Sequence, residues 1–320
     1  MRFTVDPWDP SYGTSLGSDL EPSRVEPVLG VEMPVPRWAP VDPTPGVVAP
    51  SAVLFVDGVR RTDAQLWVDE PDGTASPALC ASYAAGVVCC CPEGGAHLVH
   101  ADVRRSLVTS AASGVDIATS AGTYECTRVE PGRPGEDPGR ALSVTVQVRM
   151  QETELAVATR SREEHGTDDD LLVVDGPLGR RHPPRALGLI KTHATTYLPA
   201  EVGGIVAALR AGQRTPVFRL ERPESDRALH RHTWYLRLPC PPGAPWAGIA
   251  RVECGGDLPA EQAVALADTS QATLARYASS AYKDSRAPQN LYPIAGLERA
   301  LRRRLGEPAL LYRALRRAAA

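Results

Sequence analysis

The sequence predicts an α/β or α+β domain behind an extended N-terminal arm. Three observations carry this reading. Short apolar strand patterns recur from Val53 onward, a helical pattern from Met150 to the break at Gly166 interrupts them, and helical patterns close the chain beyond Pro259. At 320 residues and 43% hydrophobic, the chain can bury one large core or two small ones.

From Met1 to about Pro50 proline is frequent, as in "EMPVPRWAPVDPTPGVVAP", and neither helical nor strand periodicity appears. Such a segment has no core of its own. It is either mobile or laid across the domain of residues 51–320, with Trp8 and Trp38 as its anchors.

The strand at Val53–Val56 opens the folded part, followed by "AQLWVDE", "AAGVVCC" and "AHLVHADV" as neighbouring strands. The stretch from Thr127 to Leu142 is proline, glycine and charge, hence a loop. The run after it starts with alternation and then places Met150, Leu155, Ala156 and Ala158 in a helical pattern that breaks at Gly166. "TDDD" connects to a strand at Leu171. Further on, "RALGLIKTHATTYLP" gives a strand and turn, "PAEVGGIVAALRAG" a short helix closed by Gly212, and "HTWYLRLP" with "AGIARVEC" an antiparallel hairpin. Helices follow from Pro259, interrupted by "DSRAPQNLYP".

A net charge of −3 gives no global case for nucleic-acid binding, so any such contact is local. Two basic stretches exist, "GRRHPPR" from Gly179 to Arg185 and the tail from Leu297 to Arg317. In the tail, Leu297, Leu301 and Leu305 share one helical stripe and the arginines lie largely outside it, as on a solvated face. Seven cysteines without a secretory h-region favour reduced thiols and a cytoplasmic setting. Cys89, Cys90 and Cys91 lack the paired spacing of a zinc finger and read as packing residues of a strand that ends at proline and glycine. No apolar run approaches the roughly 20 residues that cross a bilayer, so no membrane is expected.

The acids carry the chemistry. "VLFVDGVRR" and "LLVVDGPLG" each drive an apolar run into Asp-Gly, at Asp57 and Asp175. An Asp-Gly pair is ordinarily a turn. In an α/β domain, however, two strand-terminal aspartates can meet at one sheet edge, and Glu154 on the preceding helix can reach the same place. Converging carboxylates repel without a cation, and oxygen ligands select magnesium or manganese. Such ions support in-line displacement at phosphorus.

The ordered set "VLFVDG", "RMQETE", "LLVVDGPL", "GLIKTH", "TWYLRL", "GIARVE" and "NLYPIAGLERAL" resembles the NurA nuclease domain over Ser51–Ala320. The resemblance implies an RNase H-like mixed sheet with flanking helices and a manganese- or magnesium-dependent deoxyribonuclease that processes DNA ends, an exonuclease with single-strand endonuclease activity. It implies a homodimer working with a HerA-type hexameric ATPase in DNA repair. Carried over, Asp57, Glu154 and Asp175 match the metal-binding acids, with Glu152 the alternative register for Glu154. Lys191 in "IKTH" matches a phosphate-contacting lysine, and Tyr292 the family tyrosine. Two positions depart from the pattern: Val59 stands where relatives carry serine, and no histidine follows Tyr292-Pro293, where Glu298 either replaces the ligand or faces solvent. From position in the chain, Lys191 and some of Arg180, Arg181 and Arg185 are expected to line a DNA path beside Asp175. Two other readings stay open, a catalytically weak adaptor of a ring ATPase and an RNA-directed nuclease of the same fold.

Overall fold

The computed structural model describes residues 16–22, 25–130, 137–167, 169–221, 230–241 and 243–319. The fold is mixed α/β, a large mixed sheet flanked by helices. Its strands are β1 (Leu16–Pro22), β2 (Pro27–Val28), β3 (Ala52–Asp69), β4 (Ala75–Cys91), β5 (Gly95–Thr109), β6 (Ile117–Thr119), β7 (Gly122–Arg128), β8 (Asp170–Asp175), β9 (Ala186–Ile190), β10 (His193–Thr196), β11 (Phe218–Leu220), β12 (Arg231–Arg237) and β13 (Ile249–Gly255). The helices are α1 (Pro138–His165), α2 (Ala200–Ala208), α3 (Ala260–Leu274), α4 (Tyr292–Arg304) and α5 (Pro308–Ala318). The chain divides into two compact units. The first holds Met1–Phe55, Cys89–His97 and Gly166–Ala295; the second holds Val56–Val88, Leu98–His165 and Gly296–Ala320. None of the described helices is long and apolar enough to cross a membrane.

In the first unit the strand order is β2-β11-β12-β13-β9-β8. β8 and β9 are parallel, with Leu172 opposite Ala186 and Asp175 opposite Leu189. The β12–β13 pair is the expected antiparallel hairpin. β1 and β10 form a separate parallel pair. One apolar cluster joins Leu198, Val206 and Leu209 to Phe218, Tyr235 and Ile249, and Leu29 and Trp38 pack against it. α3 is fixed through Ser270, whose Oγ accepts a hydrogen bond from the buried Trp234 indole at 3.0 Å.

The prolines of residues 25–50 do not leave this segment without structure. It carries β2, an edge strand on β11, and Trp38 meets Phe218 with ring centroids 6.1 Å apart. Trp8 lies outside the described residues. Glu32 accepts from Arg214 Nη1 and Nη2 at 2.7 and 2.9 Å, while Asp268 on α3 accepts from Nη2 at 2.7 Å. Burial disfavours the charge of Arg214, and the Glu32 and Asp268 carboxylates outweigh it, so its pKa lies above the ordinary value.

In the second unit the order is β3-β4-β5-β7-β6, with β5 parallel to β7 and β6 antiparallel to it. α1 lays Leu142, Val146 and Met150 on Leu79, Ala81, Tyr83 and Val108. A second cluster joins Ala64, Cys80, Leu107 and Tyr124 to Leu315 of α5. Leu297, Leu301 and Leu305 are buried as one stripe, and Arg302 to Arg304 are exposed.

Three sequence expectations need correction. "VLFV" and "AQLWVDE" are one strand of 18 residues, because Val59 is buried and Thr62 continues the extended pattern, so nothing turns the chain at Gly58. The alternation at the start of α1 is helical. Its buried stripe runs Leu142, Val146, Met150, Val157 and Ser161, whereas Val144 and Val148 are exposed and Leu155 and Ala156 lie off it. Tertiary packing of that stripe overrides the poor helix propensity of valine. The third concerns the short strands β2, β6 and β11, of two or three residues each, which are too few to show a period.

Replacing Glu32 by Ala leaves a buried charge network broken and should cost about 3–5 kcal/mol. Urea unfolding of the full chain measures it, and an unchanged midpoint would show that Arg214 is satisfied without Glu32.

His193 titrates with the fold. Its Nε2 lies 3.1 Å from Ile249 O, and its ring sits among Tyr235 and Trp246. Burial lowers its pKa to about 4; the Ile249 carbonyl opposes this shift and Arg251 adds to it. The unfolded chain therefore takes up the proton first as pH falls. This contribution is fully present above pH ~6.5 and lost towards pH ~4, by roughly 3 kcal/mol. Stability measured across that window should fall with this slope, and His193→Gln should remove the component.

Candidate functional site

In the second unit, Asp57 and Glu154 come from β3 and α1. Asp57 is the sixth residue of β3 and not its last, so the expectation of a strand-terminal acid is corrected for Asp57 and kept for Asp175. The Asp57 carboxylate is buried, and its Oδ1 accepts from Gly58 N at 2.7 Å. Gly58 is needed for space: a Cβ there would stand 2.3 Å from Glu154 Oε1 and 2.9 Å from Met150 Cγ. Glu154 thus lays its carboxylate against the backbone beside Asp57. Glu152 does not share this placement. It is exposed and pairs with Arg149 at 3.0 Å, lining a cleft of ≈ 260 Å³ with Asp102, Arg104 and Thr153. The register that selects Glu154 is the one whose side chain meets β3.

In the first unit, Asp175 ends β8 and Gly176 turns the chain at φ 102°. Lys191, just past β9, donates to Asp175 Oδ2 at 2.6 Å and to Asn290 Oδ1 at 2.9 Å. Asn290 in turn donates to Asp284 Oδ2 at 2.7 Å. Asp175 Oδ1 is buried and has no hydrogen-bond partner among the described residues. A buried carboxylate oxygen in that condition carries a desolvation cost unless a donor or cation meets it. The turn after Asp175 is held rigidly. Leu178 N donates to Glu253 Oε1 at 2.9 Å, and Arg231 Nη2 donates to Leu178 O and Gly179 O at 3.0 and 2.7 Å. A Cβ on Gly188 would meet Gly176 O at 2.8 Å, so glycine there lets the turn cross β9 closely.

The remaining expected residues are placed as follows. Arg180 and Arg181 are exposed on the loop between β8 and β9. Arg185 does not stand beside Asp175. Its Nε donates to Asp170 O at 3.1 Å, at the start of β8, five strand residues or about 16 Å from Asp175. Tyr292 is partly exposed, its hydroxyl bonded to Ser280 and its ring near Lys283 Nζ. Glu298 pairs with Arg302 at 2.9 Å and is largely buried, so it is not simply solvent-facing. Val59 belongs to the core.

A different ligand set went unread in the sequence. Cys89, Cys91 and His97, all in the first unit, offer a sulfur, a sulfur and a ring nitrogen within 4.8 Å of one another, a cluster that could bind a metal. Cys89 is buried, as a packing residue is, and Cys91 is partly buried; the two sulfurs are also placed where they could serve as ligands. Burial pushes the Cys89 thiol up to about 12, with Cys91 adding to it, so this thiol is protonated when no metal is bound. The signal was Cys-x-Cys followed by histidine across a tight hairpin. It is invisible to a search for two separated pairs.

No protein-family model matches the chain, and no curated protein matches it either. The functional reading therefore rests on these residues.

Gly58→Ala should displace Glu154 and Met150, costing about 1–3 kcal/mol through overpacking. Thermal unfolding checks this. Parent stability would mean that the Glu154 carboxylate has room to move aside.

Proposed function

We propose that the chain is a metal-dependent DNA nuclease hydrolysing phosphodiester bonds, with Asp57, Glu154 and Asp175 as its metal-binding carboxylates. On this reading the domain is RNase H-like, works as a homodimer on DNA ends, and has a HerA-type hexameric ATPase as its partner. The observation that carries it is the state of Asp175. One of its oxygens is held by Lys191, and the other is buried without a hydrogen-bond partner among the described residues. That is the donor state a cation would complete.

The donor chemistry fits a hard ion. Three carboxylates and no sulfur or imidazole suit manganese or magnesium. When bound, such an ion polarises a phosphodiester and makes water a better nucleophile. The chain's own residues do the positioning. Lys191 has three N–H donors, of which Asp175 and Asn290 use two among the described residues, leaving one for a phosphate oxygen. Asn290 is itself held by Asp284, so the ammonium is fixed before substrate arrives. Fixed cations of this kind stabilise charge that develops at the phosphorus oxygens without reorganising during the reaction. Gly58 and the clamp at Leu178 and Gly179 perform the same service for the carboxylates.

The test is cleavage of DNA with manganese by the parent, Asp57→Asn, Asp175→Asn and Lys191→Ala. Each variant should keep the parent fold by circular dichroism, the two Asn variants losing at least about 10²-fold in rate and the Ala variant 10²-fold or less. Undiminished cleavage by Asp57→Asn would remove it from the site. A folded parent that binds DNA yet does not cut it under any manganese concentration would favour the adaptor reading instead.

A further inference from the structure

The hairpin tip between β4 and β5 places soft donors together, well separated in chemistry from the carboxylates above. Cys89 and Cys91 lie on one side of β4, because alternate strand residues share a face, and His97 stands on the adjacent strand. The three ligand atoms lie within 4.8 Å of one another. We infer that Cys89, Cys91 and His97 form a zinc(II) site of two thiolates and one imidazole, with a fourth position open to solvent.

The geometry is close to what zinc requires. Bond lengths of about 2.3 Å to sulfur and 2.0 Å to nitrogen, at tetrahedral angles, separate two sulfurs by about 3.8 Å and sulfur from nitrogen by about 3.6 Å. No pair has more than about 1 Å to close. Exposure is graded across the set, Cys89 buried, Cys91 partly buried and His97 exposed, so an ion enters from the histidine side and the ring swings to complete it.

The surroundings support thiolate ligands. Gly94 N donates to Cys91 Sγ at 3.3 Å, a bond that strengthens as the sulfur becomes negative. His97 Nδ1 lies 3.3 Å from Gly95 O; when it donates there, Nε2 carries the lone pair a metal needs. A Cβ on Gly94 would stand 2.8 Å from His97 Nδ1 and 3.5 Å from Cys91 Sγ. Glycine therefore keeps open the space between imidazole and thiol. Binding balances as two thiol protons released to solvent for each zinc bound. Sulfur donors with imidazole favour zinc over manganese or magnesium, which prefer oxygen.

The experiment uses the full chain, reduced and stripped of metal, titrated with Co²⁺ and then Zn²⁺. Expected are one equivalent of Co²⁺ with intense thiolate-to-cobalt charge-transfer absorption, and its displacement by Zn²⁺. Cys91→Ser and His97→Ala should each weaken binding at least about 100-fold, and Gly94→Ala, which keeps every ligand, about 10-fold. Because Cys91 is only partly buried and His97 exposed, these variants should fold as the parent does, which unfolding curves establish. Cys240→Ser should bind as the parent. Absence of the charge-transfer band, or a band that survives both Cys91→Ser and His97→Ala, overturns the assignment. So does a band lost in Cys240→Ser.

Discussion

Arg214 sits where water cannot reach its guanidinium, and the assembly of the first unit follows from satisfying it. Its side chain is 1% exposed. Nη1 donates to Glu32 and Thr215 O, Nη2 to Glu32 and Asp268, and Nε to Asp268 and Gln271. Its backbone also bridges Val41 on one side and Leu236 on the other. A buried charge of this kind tolerates no substitute partner, since an unpaired one costs several kcal/mol. The segment around Glu32, the α3 helix and the β12 strand are thereby required to meet at one point. An apolar residue of the same volume would fill the space without specifying those three neighbours. The proline-rich segment thus has a defined place although it supplies little core.

The two Asp-Gly pairs show how little a dipeptide says about its own backbone. At Asp175 the glycine takes positive φ and the strand ends; at Asp57 the strand runs on for twelve more residues, to Asp69. What differs is the continuation. Gly176 is followed by proline, which cannot donate to a ladder, and Gly58 by buried valine. Glycine is still required at both places, once for a conformation and once for the approach of Glu154 Oε1. Only the second use makes room for a carboxylate, since nothing lies within 4 Å of a Cβ built on Gly176.

What was legible in the sequence was whatever has a period. The hairpin of β12 and β13, β8, the stripe of Leu297, Leu301 and Leu305, and the helices after Pro259 all announce themselves over six residues or more. Two- and three-residue strands such as β2 and β11 exist only because a neighbour pairs with them. The start of α1 misled for the opposite reason, as Val144, Val146 and Val148 alternate while only Val146 faces the cluster of Leu79 and Val108. Of the candidate site residues, Asp57 and Asp175 stood out because they interrupt apolar runs, and Glu154 because of its place on the preceding helix and in the resemblance. The bond from Lys191 to Asn290, 99 positions apart, has no local trace. Arg185 misled because adjacency in sequence was read as adjacency in space, while a parallel strand returns the chain to the far end of β8.

The two donor sets also bear on each other. Carboxylates alone do not choose manganese over zinc, because affinity for divalent ions rises along the first row and zinc stands above manganese. Selection for manganese must then come from removing zinc or from its scarcity. If both proposed sites exist, a thiolate-imidazole cluster on the same chain would take zinc in preference to oxygen ligands, so the first zinc equivalent would go to Cys89, Cys91 and His97 and leave Asp57, Glu154 and Asp175 to the ion they suit. On the two proposed readings the soft site acts in series with the hard one. Zinc beyond one equivalent, with the sulfur ligands filled, would compete for the carboxylates, and the chain's dependence on manganese would then vary with zinc in a step set by the first site's capacity.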